Sequence, residues 1–412
     1  MRPNIKKLEN RRKYIVIYPN IFMEFHWERF GLNYFETLGW EVLGIECVSL
    51  LLGVDRAKAE SREARADSRT TIIDEPNKLR DILAKTTNED IVLIFSNYEQ
   101  KSEWLFKILY DYNVHYGIAN LSCPPVTKYK INFITETSLK RIMQFLDNLK
   151  HSTKMVLRKL NYFFINEKIK VPIKYPSFWI YSGRQSLYLG SELHRMAQKR
   201  ISTHSLEVEK SISITTQEVD IGSKSNYAVL IDDALADHPD FNLCQIGKPI
   251  SPIRYFSKLN AFIDKIELDL GLEVVIAANP KTPAEAARSN YQKRKLFFGK
   301  TTELIRDCSL VISHYSTALS IAAYFEKPIY ILSTSVIKNS EILQNIEKCA
   351  SWFETHPINI DELSSQKLTI PKIKTSVYRR YKHEFLQETK STSTSIWQSM
   401  INAQEYHTHY KR

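Results

Sequence analysis

The stretch Val311–Leu332, VISHYSTALSIAAYFEKPIYIL, carries the pattern that decides the fold. An apolar run ends in the polar quartet His314-Tyr315-Ser316-Thr317, an alanine-bearing helical segment follows, and a second apolar run opens at Pro328. Strand, helix and strand in so short a span form the βαβ unit of a parallel sheet. Ligands of such sheets collect outside the carboxyl ends of the strands, which is where the quartet falls. The N–H groups at a helix start, the hydroxyls of Ser316 and Thr317, and the positive end of the helix together suit a phosphate. A serine at that place is equally explained as a helix N-cap, and the residues alone leave both readings open.

Working outward, the same alternation runs through most of the chain. Before the quartet come the apolar run Tyr227–Asp233, a helical stretch near Tyr255–Leu270, the runs Leu272–Pro280 and Lys295–Gly299, and a helix over Thr302–Asp307. An earlier series holds Tyr14–Pro19, a helical stretch His26–Leu38, Trp40–Glu46, Asp90–Phe95, a helix around Lys101–Tyr112, Val114–Leu121, Phe178–Gly183 and Lys199–Ser205. A polar interval, Glu209–Asn226, separates the two series. The chain therefore reads as α/β with two Rossmann-like domains facing a cleft. The first covers 1–215, the second 226–375, and a helical tail, 376–412, packs back on the first domain. Between them in character is Val54–Glu75, rich in charge and alanine, read as an exposed helix or an excursion of the first domain's surface.

Composition narrows the class. The chain has 412 residues, 43% of them apolar, enough for two cores, and no run long enough to span a bilayer. With no signal-peptide core near Met1, a cytoplasmic location is expected. The five cysteines are widely spaced and odd in number, which fits neither a disulfide framework nor a zinc site. A formal charge of +11 favours anionic partners. The basic residues are scattered and no recognition motif appears, so nucleic acid is not expected. The segment Leu149–Lys170 mixes lysines with Met155, Leu157, Phe163 and Phe164 and reads either as a core helix with a basic face or as a contact to an anionic membrane surface.

Three strand ends of the second series are polar: Asp232-Asp233, Asn279-Pro280 and His314–Thr317. Asp232 and Asp233 are adjacent, so on a strand they point to opposite faces and do not share a proton. A carboxylate there suits a general base toward a hydroxyl, or a helix cap or turn. His238 follows in the same segment. Lys281, Arg288 and Lys300 offer positive charge near the same strand ends, and no DxD-type acidic pair suggests a metal. On the first domain, His26, Glu28 and Arg29 are candidates to line an acceptor side, or belong to a surface helix of mixed charge.

These motifs, in this order, resemble those of bacterial glycosyltransferases of GT-B fold that build surface polysaccharides, in the sialyltransferase-like and Kdo-transferase-like group. "IDDAL" (Ile231–Leu235) is similar to their acidic motif and "YSTAL" (Tyr315–Leu319) to their phosphate-binding motif. Two positions depart: Asn279-Pro280 stands where the group has His-Pro, and Ala234 stands where its acidic motif has glycine. The segments Tyr18–Val42, Phe178–Ser186 and Ser202–Lys210 also look like first-domain segments of surface-carbohydrate enzymes. The resemblance implies an inverting, metal-independent transfer from a nucleotide sugar, a cytidine-linked ulosonic acid in this group, to a glycan or lipid-linked glycan. The nucleotide sugar is a substrate and no cofactor is implied. Asp232, the first acid, takes the base role, with Asp233 beside it. Asn279, Pro280, Lys281, His314, Ser316 and Thr317 fall on the donor side. Two alternatives share the architecture: a nucleotide-sugar epimerase, and a non-catalytic assembly protein of a polysaccharide machine.

Overall fold

The computed structural model describes residues 11–54, 66–126, 172–214, 226–236, 250–280, 282, 284–292, 294–337, 340–362, 366–388 and 394–409. The segment Leu149–Lys170, Lys281, His238 and part of Val54–Glu75 lie outside these. Among the described residues there are thirteen strands in two sheets, eleven of them on the apolar runs of the sequence. The first contains β1 (Lys13–Tyr18), β2 (Glu41–Glu46), β3 (Thr71–Ile72), β4 (Ile91–Ile94), β5 (Tyr116–Asn120), β6 (Phe178–Ser182) and β7 (Lys199–Thr203), in the order β3-β2-β1-β4-β5-β6-β7. The second contains β8 (Tyr227–Ile231), β9 (Glu273–Ala278), β10 (Leu296–Phe298), β11 (Leu310–Ser313), β12 (Ile329–Ser333) and β13 (Ile358–Asn359), in the order β10-β9-β8-β11-β12-β13. Every pairing is parallel.

Parallel strands are covered by helices on both faces, which is why β4 and β8 are uninterrupted apolar runs with every residue buried, as is β11 up to its last residue, Ser313, which is buried too. The second sheet is crossed by the long helix Pro252–Leu270, whose Tyr255, Leu259, Phe262, Ile263 and Ile266 repeat at helical spacing and are buried. Pro252 opens that helix and Gly271, at φ 67°, closes it.

The helical stretch expected over His26–Leu38 is two short helices, Glu24–Arg29 and Leu32–Thr37, parted at Gly31 with φ 75°. The cause lies at the other end of the chain. A Cβ on Gly31 would fall 2.4 Å from the Trp397 ring, so the break in the helix is where the tail docks.

The tail returns to the first domain as expected. After the helix Thr375–Tyr381, a π-helical turn over Lys382–Leu386 passes against Gly183, and the Ser205 N–H donates to Leu386 O at 2.8 Å. The last helix, Ile396–His409, then lays Ile396, Trp397, Met400 and Ile401 into the cluster built by Tyr14, Val16, Phe35 and Leu93. Glu209 fastens its start by accepting from the Ser395 hydroxyl at 2.6 Å and the Ile396 N–H at 3.0 Å. The two domains also share a core, since Cys123 and Val208 of the first pack in the apolar cluster of the second; the tail joins the second domain as well, where the Tyr381 and Ser320 hydroxyls meet at 3.1 Å. This is an α/β arrangement of two Rossmann-like domains with a returning tail.

Candidate functional site at the carboxyl edge of the second sheet

Strand order brings the three polar strand ends together. β8 lies between β9 and β11, so Asp232-Asp233 is flanked by Asn279-Pro280 on one side and His314–Thr317 on the other. Past the end of β8 the two carboxylates turn to opposite neighbours. Asp232 leans to β9: its Oδ1 accepts the Ala234 N–H at 2.9 Å, its Oδ2 the Asn279 N–H at 3.4 Å, and its backbone oxygen the Asn279 side-chain amide at 3.3 Å. The Tyr291 hydroxyl donates to the same carboxylate. Asp233 leans to β11 and accepts the His314 N–H at 2.8 Å and the Ser313 hydroxyl at 3.1 Å.

The bond from Ala234 to Asp232 closes a tight turn that holds Ala234 at φ 50°. That is the left-handed region in which a side chain crowds the following carbonyl and glycine is favoured. Ala234, which stands where the resembling motif has glycine, thus occupies a region that glycine favours, at the cost of strain.

Burial sets the electrostatics. Asp232 is buried, and desolvation raises its carboxyl above the ordinary carboxylate range, although the N–H groups of Ala234 and Asn279 and the Tyr291 hydroxyl pull the other way. Burial also raises the phenols of Tyr255 and Tyr291 well above their usual value, and both aspartates add to it. Tyr315 is pushed up to about 12 by burial and by Asp233. His314 is 1% exposed, its Nδ1 is 3.4 Å from Asp233 Oδ2, and its Nε2 has no hydrogen-bond partner among the described residues.

Ser316 and Thr317 are half-buried at the turn before the helix Leu319–Tyr324, which is only six residues long. The Ser316 hydroxyl accepts the Ala318 N–H at 3.3 Å, so it serves the local turn and keeps its proton free to donate. Pro280 and Arg288 are exposed, and Lys300 lies 3.4 Å from Glu303.

The first-domain candidates divide. His26 is buried in the first core, where its Nδ1 accepts the Met23 N–H at 2.9 Å and its ring stacks on Phe30, so it supports that fold. Glu28 is exposed. Arg29 pairs at 3.0 Å with buried Glu207, which also accepts the Ser122 hydroxyl at 2.6 Å. Glu207, Tyr255, Tyr291 and Ser313 were not singled out in the sequence. Ser313 carries a signal, as the residue directly preceding the quartet; Tyr255 lies on the buried face of an amphipathic helix, but that Tyr291 reaches Asp232 depends on how its helix packs, which no local pattern reveals.

No protein-family model matches the chain, and no curated protein sequence does. Among solved structures it is similar to Staphylococcus aureus MnaA bound to UDP (12% identity, 97% of each chain covered, TM-score 0.45). It is also similar to Acinetobacter baumannii MurG (7% identity, 96% of this chain and 100% of that one, TM-score 0.42). A third is UDP-GlcNAc 2-epimerase from Methanocaldococcus jannaschii (7% identity, 97% and 99% covered, TM-score 0.41). Likenesses this distant say nothing of the chemistry.

Proposed function

We propose that the chain is a glycosyltransferase that moves a sugar from a nucleotide-sugar donor to a glycan or lipid-linked glycan, with inversion and without a metal ion. The observation that supports this most is the convergence of Asp232, Asp233, Asn279 and His314, from three separate segments, at one end of the second sheet. On this reading the donor phosphate lies by Ser316 and Thr317, with Asn279, Pro280, Lys281 and His314 around the nucleotide. Backbone N–H groups and basic side chains such as Arg288 balance the charge that develops as the phosphate leaves. Asp232, whose buried carboxyl is raised, is the proposed base toward the acceptor hydroxyl. A cytidine-linked ulosonic acid is the proposed donor, by the resemblance of the acidic and Ser-Thr motifs.

Thermal shift with CMP, UDP and GDP tests the binding step. A nucleotide at about a hundred times its Kd adds about 2.7 kcal/mol of stability. Transfer is then tested with the sugar donor, with and without acceptor. Product only when acceptor is present supports the transferase. Rearrangement of the donor alone makes the chain an epimerase instead, and nucleotide binding without turnover makes it a non-catalytic assembly protein.

A further inference from the structure

Exposed apolar side chains are normally scattered singly, so several on one part of a surface mark a place of contact. Of the fourteen large apolar or tyrosine side chains exposed among the described residues, five belong to one edge of the first sheet. They are Tyr110, Tyr112, Tyr175, Tyr188 and Leu189, each between 41% and 62% exposed. Connectivity puts them there, because the helix of a βαβ unit runs back along its strands and ends where the next strand begins. Tyr110 and Tyr112 stand at the end of the helix Glu103–Asp111 before β5, Tyr175 leads into β6, and Tyr188 and Leu189 end the helix Gly183–Leu189 before β7. All five therefore lie at the amino edge of β5, β6 and β7, which are neighbours in the sheet.

Contacts tie the row together. The Lys174 ammonium donates to the backbone and side-chain oxygens of Asn113, each at 2.6 Å, and the Gln198 N–H donates to Pro176 O at 3.0 Å. Both helices cover the same face, since Leu105 and Phe106 of one and Leu187 of the other pack in one cluster with Trp179. The charge along the edge is of one sign. Lys174, exposed Arg195 and Arg200, whose guanidinium lies 5.7 Å from the centre of the Trp179 ring, stand against the single carboxylate of Glu192. Asp111 is matched by Lys107 at 2.9 Å.

Tyrosines with an apolar body and a polar tip, set among long basic side chains, suit the headgroup level of a bilayer. A second copy of the chain fits less well, because a twofold contact would set this positive edge against itself. We propose that the amino edge of the first sheet rests on an anionic lipid surface. Among the described residues no helix is long and apolar enough to cross a membrane, and the proposed contact is with the surface only. Beyond its other end β5 leads to Cys123, which packs in the core of the second domain, so an edge laid on lipid leaves the site on the second sheet uncovered. The proposal does not rest on the glycosyltransferase reading, which the nucleotide and transfer assays decide.

The test is co-sedimentation of the full chain with vesicles of phosphatidylcholine alone and of phosphatidylcholine mixed with phosphatidylserine, at about 0.05 M and about 0.5 M salt. The wild type should sediment with the mixed vesicles at low salt, be released at high salt, and stay in the supernatant with phosphatidylcholine alone. K174Q/R195Q/R200Q should weaken binding about a hundredfold, at about fivefold per charge removed. Y112S/Y175S/Y188S should weaken it about tenfold and leave the salt dependence in place. A wild type that ignores the mixed vesicles overturns the proposal. Binding of both variants at the wild-type level does so too, because the contact then lies elsewhere on the chain. A wild-type dimer in sedimentation velocity that the tyrosine variant dissociates also overturns it, making the edge an interface between copies. Should the variants fail to fold, hydrogen exchange of the wild type decides: mixed vesicles should slow exchange in the peptides around Tyr112, Tyr175 and Tyr188, and protection confined to other peptides overturns the proposal.

Discussion

Replacing Gly31 with alanine should strike the docking of the tail rather than the two helices it parts. Two terms add. At φ 75° a side chain meets the left-handed penalty, about 1–2 kcal/mol. The new Cβ would also lie 2.4, 2.5 and 2.9 Å from three atoms of the Trp397 ring, an overpacking that costs about 1–3 kcal/mol. The expected loss is therefore about 2–5 kcal/mol. A double-mutant cycle separates the terms: in a W397A background the ring is gone, and G31A should cost only the backbone part, about 1–2 kcal/mol. The assay is urea denaturation followed by far-UV circular dichroism, read on the transition that W397A itself moves. An equal cost for G31A in both backgrounds would refute the contact and with it the stated reason for the break between the first two helices.

Other expectations bear on the site and on pH. D232N keeps the shape and removes the proton acceptor, so turnover should fall about a hundredfold to ten-thousandfold while nucleotide affinity holds; wild-type turnover in D232N places the base elsewhere. Alanine at both Ser316 and Thr317 should weaken nucleotide binding by about 1.5–3 kcal/mol per lost charge-assisted bond, and a variant that melts early but binds normally makes the pair a cap only. Burial holds His194 down to about 4, so below the unfolded chain's 6.5 only the unfolded state takes up that proton. Stability present above pH 6.5 should thus be lost as the pH falls toward 4, by about 3 kcal/mol. Urea midpoints across that range should fall less steeply in H194Q, and an identical slope in the two proteins would contradict the burial.

What the sequence disclosed follows from where its signals are local. β4 and β8 announce themselves because strands covered on both faces must be apolar throughout. The pair Asp232-Asp233 is conspicuous because it follows such a run directly. By contrast β3 and β13, two residues each, leave too little pattern to read. The direction of each carboxylate was hidden as well, since it depends on β9 and β11 flanking β8, a matter of crossover order rather than of neighbouring residues. Gly31 is the extreme case, because its meaning is supplied by Trp397, far away in the chain.

That distance has a consequence for synthesis. Trp397 follows Gly31 by 366 residues, and a ribosome adding about 5–20 residues per second needs roughly 20–70 s to cover the gap. For that interval the nascent first domain has no last helix to close over Tyr14 and Phe35, and its apolar wall remains open to solvent, to chaperones and to other nascent chains. A fragment ending before Ile396 would carry the same open wall for as long as it exists, so the seven-stranded half, expressed alone, should aggregate unless the terminal helix is supplied in trans.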